Sequence, residues 1–181
     1  MKNHSELIKD LTKSFLESSP KNLLFCEGID DTFYGTLPRI IEHYKKQCFE
    51  LPCSENASIG MVLGAACYGL NPIICFQRVE FALLAFEQLV NNSSKISFLT
   101  DNLRINPCLI RLVIGRGWGQ GPSHSQSMET IFAQIPSINV VVPVFPEDSE
   151  LIFKNFTNKN APTICLEHRW IHFNKYSGTQ P

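Results

Sequence analysis

The sequence has no C-x-x-C pair and no cluster of cysteine and histidine at short spacing, so a structural zinc site is excluded and no metal ligand set is expected in this chain. It has no basic excess. Sixteen Lys and Arg stand against 17 Asp and Glu, a net charge of -1, which lacks the electrostatic footprint of a nucleic-acid binder. No apolar run approaches a membrane span. The opening Met1-Lys2-Asn3-His4-Ser5-Glu6 has no apolar signal core behind it. A P-loop, a G-x-G-x-x-G dinucleotide fingerprint and a G-x-S-x-G nucleophile elbow are all missing. There is no linker, repeat or low-complexity segment. A soluble, cytoplasmic protein is the expectation, without nucleic-acid or membrane partners.

What remains is ordinary globular composition, 44% hydrophobic and 18% charged over 181 residues. That length fits one domain, expected over 1–173, with a polar tail over 174–181. The seven cysteines are odd in number and sit mostly within apolar runs such as Ile73-Ile74-Cys75-Phe76. They read as small buried hydrophobes in a reducing compartment. Lys45-Lys46 reads as a solvated face.

Helical and strand signals alternate along the chain. Leu7, Ile8, Leu11, Phe15 and Leu16 recur at helical spacing, and Pro20 ends that helix. Short apolar runs predict six strands: Leu23–Cys26, Phe49–Pro52, Pro72–Phe76, Leu109–Ile114, Ile138–Val142 and Thr163–Leu166. Between them, helices are predicted after Pro38 (Ile40, Ile41, Tyr44), over Ser58–Leu70, over Phe81–Val90, from Met128 and from Pro146-Glu147-Asp148. The fold class is therefore α/β, a mostly parallel central sheet with helices on both faces. The Ser58–Leu70 helix carries Gly60, Gly64 and Gly69. Each glycine costs a helix about 1 kcal/mol, so a close-packed neighbour is expected there, within the chain or across a subunit interface.

Sites in such sheets form at the carboxyl ends of the strands. Two candidates lie there. Glu55 follows the second strand and precedes the small-residue helix. It is either functional or a carboxylate capping free amides at a helix N-terminus. His124 closes Gly115-Arg116-Gly117-Trp118-Gly119-Gln120-Gly121-Pro122-Ser123, a loop able to wrap a ligand. A loop histidine of this kind is equally well structural or simply exposed. Ser123 and Ser125 beside it do not make a triad.

The motifs in order are more telling than any one alone. Glu50-Leu51-Pro52-Cys53-Ser54-Glu55 is followed by the Gly- and Ala-rich helix. Then come Phe76-Gln77-Arg78-Val79-Glu80-Phe81 and Phe86-Glu87-Gln88-Leu89-Val90-Asn91, closed by Lys95. After these stand His124-Ser125-Gln126-Ser127 with Glu129, Val140-Val141-Val142-Pro143, and Pro162 to Glu167. Over about Leu7–Phe173 the chain resembles the pyrimidine-binding domain of the transketolase and 2-oxoacid dehydrogenase beta-subunit family. The resemblance implies the thiamine-diphosphate-binding fold of pyrimidine type. It implies that Glu55 hydrogen-bonds the pyrimidine N1′ and shares a proton with it, that Phe81 stacks on the ring, and that Cys53 lies among the cofactor-binding residues. It implies that His124 contacts substrate or the adduct. Glu55 and His124 are thus the expected catalytic residues.

Departures from the family pattern sharpen the expectation. No Gly-Asp-Gly occurs, so Mg²⁺ and the diphosphate are expected on an alpha-type partner subunit that carries this segment. The assembly implied is a heterotetramer or a homodimeric core. The C-terminal domain usual in beta subunits is missing from this sequence. Gln77-Arg78-Val79-Glu80 sets two charges beside the aromatic segment, either facing the site or on the surface. The function implied is 2-oxo acid decarboxylation with acyl or aldehyde transfer. The alternatives are ketol transfer, as in a split transketolase, or a non-catalytic interaction subunit.

Overall fold

A computed structural model describes residues 3–29, 32–37, 43–103 and 105–173. Its centre is a six-stranded sheet in the order β2-β1-β3-β4-β6-β5, with every pairing parallel. The strands are β1 (Asn22–Cys26), β2 (Cys48–Glu50), β3 (Asn71–Phe76), β4 (Leu109–Ile114), β5 (Asn139–Val141) and β6 (Thr163–His168). The six sequence-predicted strands are all found, within a residue or two at their ends. The α/β class holds, and the sheet is wholly parallel.

Side chains alternate across the pleat and feed two separate cores. Leu23, Phe25, Ile74, Phe76, Ile110 and Leu112 face one layer of helices. Leu24, Cys26, Ile73, Cys75, Leu109 and Val113 face the other. Burial on both faces explains the apolar runs in β1 and β4, whose residues are all buried, Asn22 and Arg111 included.

The first layer holds α2 (Glu55–Cys67) and a helical stretch from Val79 to Ser93, and these two elements are in contact. α2 buries Ile59, Val62, Leu63 and Ala66. Its small residues do different work. A side chain on Gly60 would come within 3.3 Å of Gln88, whereas one on Gly64 would meet nothing within 4 Å. Met61 and Tyr68 face outward beside Gly64, Tyr68 at 85% exposure. The close neighbour expected for this helix is therefore found only at Gly60 among the described residues.

The predicted Phe81–Val90 helix is longer and less regular. It opens as a 3₁₀ helix over Val79–Ala85, passes through Phe86 and Glu87, and ends as a π-helix over Gln88–Ser93. The helix expected after Pro38 lies largely outside the described residues, as does the tail; Tyr44 is irregular.

The second layer holds α1 (His4–Ser18), which packs on α5 (Pro146–Asn155) and on α6 (Arg169–Phe173). A capping box starts α1: Asn3 accepts from the Glu6 amide and the Glu6 carboxylate accepts from the Asn3 amide. In α5, Asp148 accepts from the amides of Val144 and Phe145. All seven cysteines are free; Cys26, Cys75, Cys108 and Cys165 are buried, and Cys53 is exposed. Among the described residues, no helix is long and apolar enough to cross a membrane.

One ionic group lies within the second core. Arg111, in the middle of β4, is fully buried. Its Nε donates to Glu167 Oε1 at 2.6 Å and its Nη2 to Glu167 Oε2 at 2.8 Å. Nη2 also donates to Thr36 Oγ1 at 2.9 Å. Glu167, near the end of β6, is bonded in turn to His172 Nε2 of α6 at 3.1 Å. Burial alone would raise the Glu167 carboxyl pKa, but Arg111 overrides it and holds the group far below the usual carboxylate range.

Glu167→Gln should therefore lower unfolding free energy by about 3–5 kcal/mol, because it leaves a buried guanidinium without its counter-charge. Urea denaturation at neutral pH measures this. The sign with pH follows from the depressed carboxyl. Its contribution is full above the unfolded value of about 4.3 and is lost as pH falls below it. The wild type should lose stability in acid more steeply than the variant.

Candidate functional site

The carboxyl ends of the strands carry every candidate residue. β1 ends at Cys26 and runs into Glu27; β2 ends at Glu50; α2 begins at Glu55. Three carboxylates are thus gathered at one corner. Glu50 is satisfied: its two oxygens accept from the amides of Gly28 and Ile29, both at 2.8 Å. Glu27 is not. It is buried, at 8% exposure, and its Oε1 has no hydrogen-bond partner among the described residues. Burial, then the charges of Glu55 and Glu50, push the Glu27 pKa up to about 7.

Glu55 is buried to 7% exposure at the first position of α2. The N-cap Ser54 makes no side-chain capping bond, and the Glu55 carboxyl accepts no hydrogen bond from any described residue. The capping role open to Glu55 on sequence grounds is thus not used. Glu55 thus lies buried within electrostatic reach of Glu27. Cys53 lies exposed on the segment leading into α2.

His124 and Phe81 meet. Their rings stand edge to face at 5.6 Å. Phe81 belongs to the 3₁₀ helix that packs on α2, and His124 ends a short 3₁₀ turn over Pro122–His124 after the glycine loop. The structure therefore brings Phe81 and His124 together directly, and joins Glu55 to Glu27. It shows no hydrogen bond from Glu55 to Phe81 or His124.

The loop itself is fixed by side chains. Gly115, Gly117, Gly119 and Gly121 all have positive φ, from 75° to 145°. The alternation throws Trp118 inward. Its indole N–H donates to the His124 carbonyl at 2.6 Å, with Ser125 Oγ at 3.1 Å. A Cβ on Gly115 would touch the Trp118 ring at 3.3 Å.

Arg78 and Glu80 turn toward this loop. Arg78 is 5% exposed; Nε and Nη2 donate to Gln120 Oε1 at 3.1 and 2.6 Å, and its guanidinium lies 4.2 Å from the Trp118 ring centre. Burial and the nearby Arg169 lower its pKa. Glu80 accepts from the Gln126 amide at 2.8 Å. Neither charge is a surface residue of no consequence; both anchor the segment bearing His124.

Comparison with known proteins bears on the family and the fold. Residues 9–171 match the family model described as "Transketolase, pyrimidine binding domain". The chain belongs to that family. It is 34% identical over 150 residues to the pyruvate dehydrogenase E1 component subunit beta of Gracilaria tenuistipitata var. liui, covering 80% of this chain and 46% of the relative. It is 30% identical over 146 residues to the acetoin:2,6-dichlorophenolindophenol oxidoreductase subunit beta of Cupriavidus necator, covering 79% of this chain and 43% of that protein. With the 2-oxoisovalerate dehydrogenase subunit beta of Bacillus subtilis it shares 31% over 125 residues, 69% of this chain and 38% of the relative. The chain thus spans less than half the length of these relatives. The fold matches a solved structure titled "Split gene transketolase, inactive beta4 tetramer" at a TM-score of 0.73, with 16% identity, over 92% of this chain and 51% of that one.

Sequence reasoning passed over Glu27 and left Arg78 open between site and surface. Glu27 carried one signal, its place directly after a buried strand.

The raised Glu27 pKa has a measurable sign. A carboxyl whose folded pKa is about 7 favours folding most below its unfolded value, and that contribution is lost as pH rises through about 7. Glu27→Gln removes the titration. Its urea midpoint should exceed that of the wild type at about pH 8, and the gap should shrink toward about pH 5.

Proposed function

We propose that this chain supplies the aminopyrimidine-activating half of a shared thiamine-diphosphate site, in a heteromeric enzyme that decarboxylates 2-oxo acids and passes on the acyl or aldehyde fragment. The observation that carries this reading is Glu55, a buried carboxyl with no hydrogen-bond partner among the described residues, within electrostatic reach of Glu27. The donor set fits an aminopyrimidine. A ring nitrogen needs an acid that can give and take a proton within hydrogen-bond reach. The orphaned Glu27 oxygen marks a corner still short of a polar partner.

When bound, thiamine diphosphate supplies the carbanion chemistry, and the protein supplies position and electrostatics. In this reading Glu55 holds a proton at the pyrimidine N1′. Glu27, close to half-ionised near neutral pH, supports the exchange of that proton. Phe81 presents a ring for stacking. Its edge contact with His124 sets the histidine beside the reacting substrate. Cys53, exposed before α2, is taken in this reading as a cofactor-binding residue.

The sequence contains no Gly-Asp-Gly segment, and among the described residues no group of three or more metal-ligating side chains converges. In this proposal a partner subunit of alpha type holds Mg²⁺ and the diphosphate. The three relatives' names, each a subunit beta, support a heteromer. The fold shared with a split-gene transketolase leaves ketol transfer as the reading to test beside it.

Two outcomes follow. Glu55→Gln should lower turnover about 10²–10⁴-fold, the usual worth of a positioned proton-transfer group, while circular dichroism and thermal unfolding stay close to wild type. Unchanged turnover would remove Glu55 from the mechanism. By calorimetry, the chain alone should bind thiamine diphosphate weakly, and tight binding should require Mg²⁺ and a Gly-Asp-Gly-bearing partner. Stoichiometric tight binding by the chain alone would contradict a divided site. Assaying the assembled enzyme with 2-oxo acids and with sugar phosphates separates acyl transfer from ketol transfer.

A further inference from the structure

The opposite end of the rim carries a cavity that the proposed cofactor site does not use. β4 and β6 are neighbours, and Ile114 pairs with His168 at their carboxyl ends. Beyond them, the glycine loop and α6 diverge around a cavity of about 300 Å³ lined by Arg116, Gly117, Trp118, Arg169, Trp170 and Phe173. The lining holds two guanidiniums, three aromatic rings and no carboxylate.

The cations there are held by rings rather than by acids. Arg169 lies 5.0 Å from the ring centre of Tyr34, 5.6 Å from that of Trp118 and 5.9 Å from that of Phe173. Arg116 lies 5.9 Å from the ring centre of Trp170. Neither arginine forms an ion pair or hydrogen bond with a described residue. Arg78 shares Tyr34 and Trp118 with Arg169 and is close enough to feel its charge. Arg116 and Arg169 thus have no ion-pair partner among the described residues, and Arg78 beside them feels one carboxylate, Glu80. Aromatic faces hold a guanidinium in place while leaving its N–H donors free. Such a forked donor matches carboxylate and phosphate oxygens.

One wall of the cavity is bonded to the segment that bears His124. Trp118, one of its walls, donates its indole N–H to the His124 carbonyl, and His124 contacts Phe81.

We propose that this cavity is an anion subsite, in which Arg116 and Arg169 bind the non-reacting carboxylate or phosphate end of the substrate. This assignment rests on the reading of Glu55, Phe81 and His124 as the reacting centre. It makes the preferred substrate one that carries a second anionic group away from its reacting carbon. Trp118 couples the two ends, because the ring that walls the subsite also holds the backbone of the histidine.

The test uses a property of the chain. It has two tryptophans, Trp118 and Trp170, and both line the cavity. Succinate and inorganic phosphate, titrated into the full chain at constant ionic strength, should change tryptophan fluorescence saturably, and chloride should not. Arg116→Gln and Arg169→Gln should each weaken that binding about tenfold or more, the scale of a lost charge-assisted hydrogen bond. Arg116 is exposed on the loop, so its variant guards against misfolding as the cause. No saturable change, or titrations unaltered in both variants, would overturn the subsite.

A second arm uses the enzyme assembled with its partner. Selectivity for 2-oxoglutarate over 2-oxopentanoate, which keeps the reacting carboxylate but has no second anionic group, should fall about tenfold or more in either variant. A loss of thiamine-diphosphate affinity with selectivity intact would overturn the proposal in another way, by giving the arginines to the cofactor's diphosphate. The fluorescence titration needs no cofactor. If thiamine diphosphate fails to bind while succinate binding depends on Arg116 and Arg169, the functional reading falls and the anion site stands.

Discussion

The bidentate bond between Arg111 and Glu167 ties the sheet to its working edge. Two adjacent central strands are joined by a buried ion pair where apolar contact would otherwise suffice. Glu167 also holds His172, so the pair fixes the short helix that follows β6. A helix of five residues cannot hold itself in water. Its orientation depends on this anchor and on α1, which packs over it. Where α6 points decides where Arg169 and Trp170 stand. A desolvated charge inside β4 is thus linked to the surroundings of His124 through one carboxylate, one helix and one indole.

The rim that results is divided by charge. Around β1, β2 and α2 stand Glu27, Glu50 and Glu55. Around β4 and β6 stand Arg78, Arg116 and Arg169. Each half would be costly alone, because like charges crowd in a partly buried setting. The acidic half relieves the cost by binding Glu50 to two amides and by raising the Glu27 pKa to about 7. The basic half relieves it by laying guanidiniums on aromatic faces. Two ends of opposite polarity about one histidine suit a reaction with a proton-sharing ring on one side and an acidic substrate on the other.

Much of this architecture was legible in the sequence. The strands could be read because burial on both faces leaves apolar runs, and all six lie where those runs do. Phe81 and His124 were singled out separately by ordered motifs, and their contact was not foreseen, since 43 positions separate them and only the fold joins them. Other features were hidden for physical reasons. Arg111 interrupts a strand, and a sequence does not show whether such a charge meets a partner 56 positions away. Glu27 looks like any polar residue after a strand, because its raised pKa arises from burial in the fold and from two carboxylates that arrive from α2 and β2. The irregular pitch of the 79–93 segment left no trace in its apolar spacing. Arg78 stood open between site and surface, and the structure resolves it inward.

The glycine loop has a consequence for how this protein can change. Its glycines occupy alternate positions from 115 to 121, each in a backbone conformation that other residues resist. The positions between them, Arg116, Trp118 and Gln120, carry the side chains that face cavity, histidine and Arg78. Backbone shape and chemical identity are thereby assigned to separate, interleaved residues. Variation at the even positions can retune what the loop recognises without redrawing its path, while the odd positions keep the path constant. A lineage with such a loop can explore new substrates one side chain at a time.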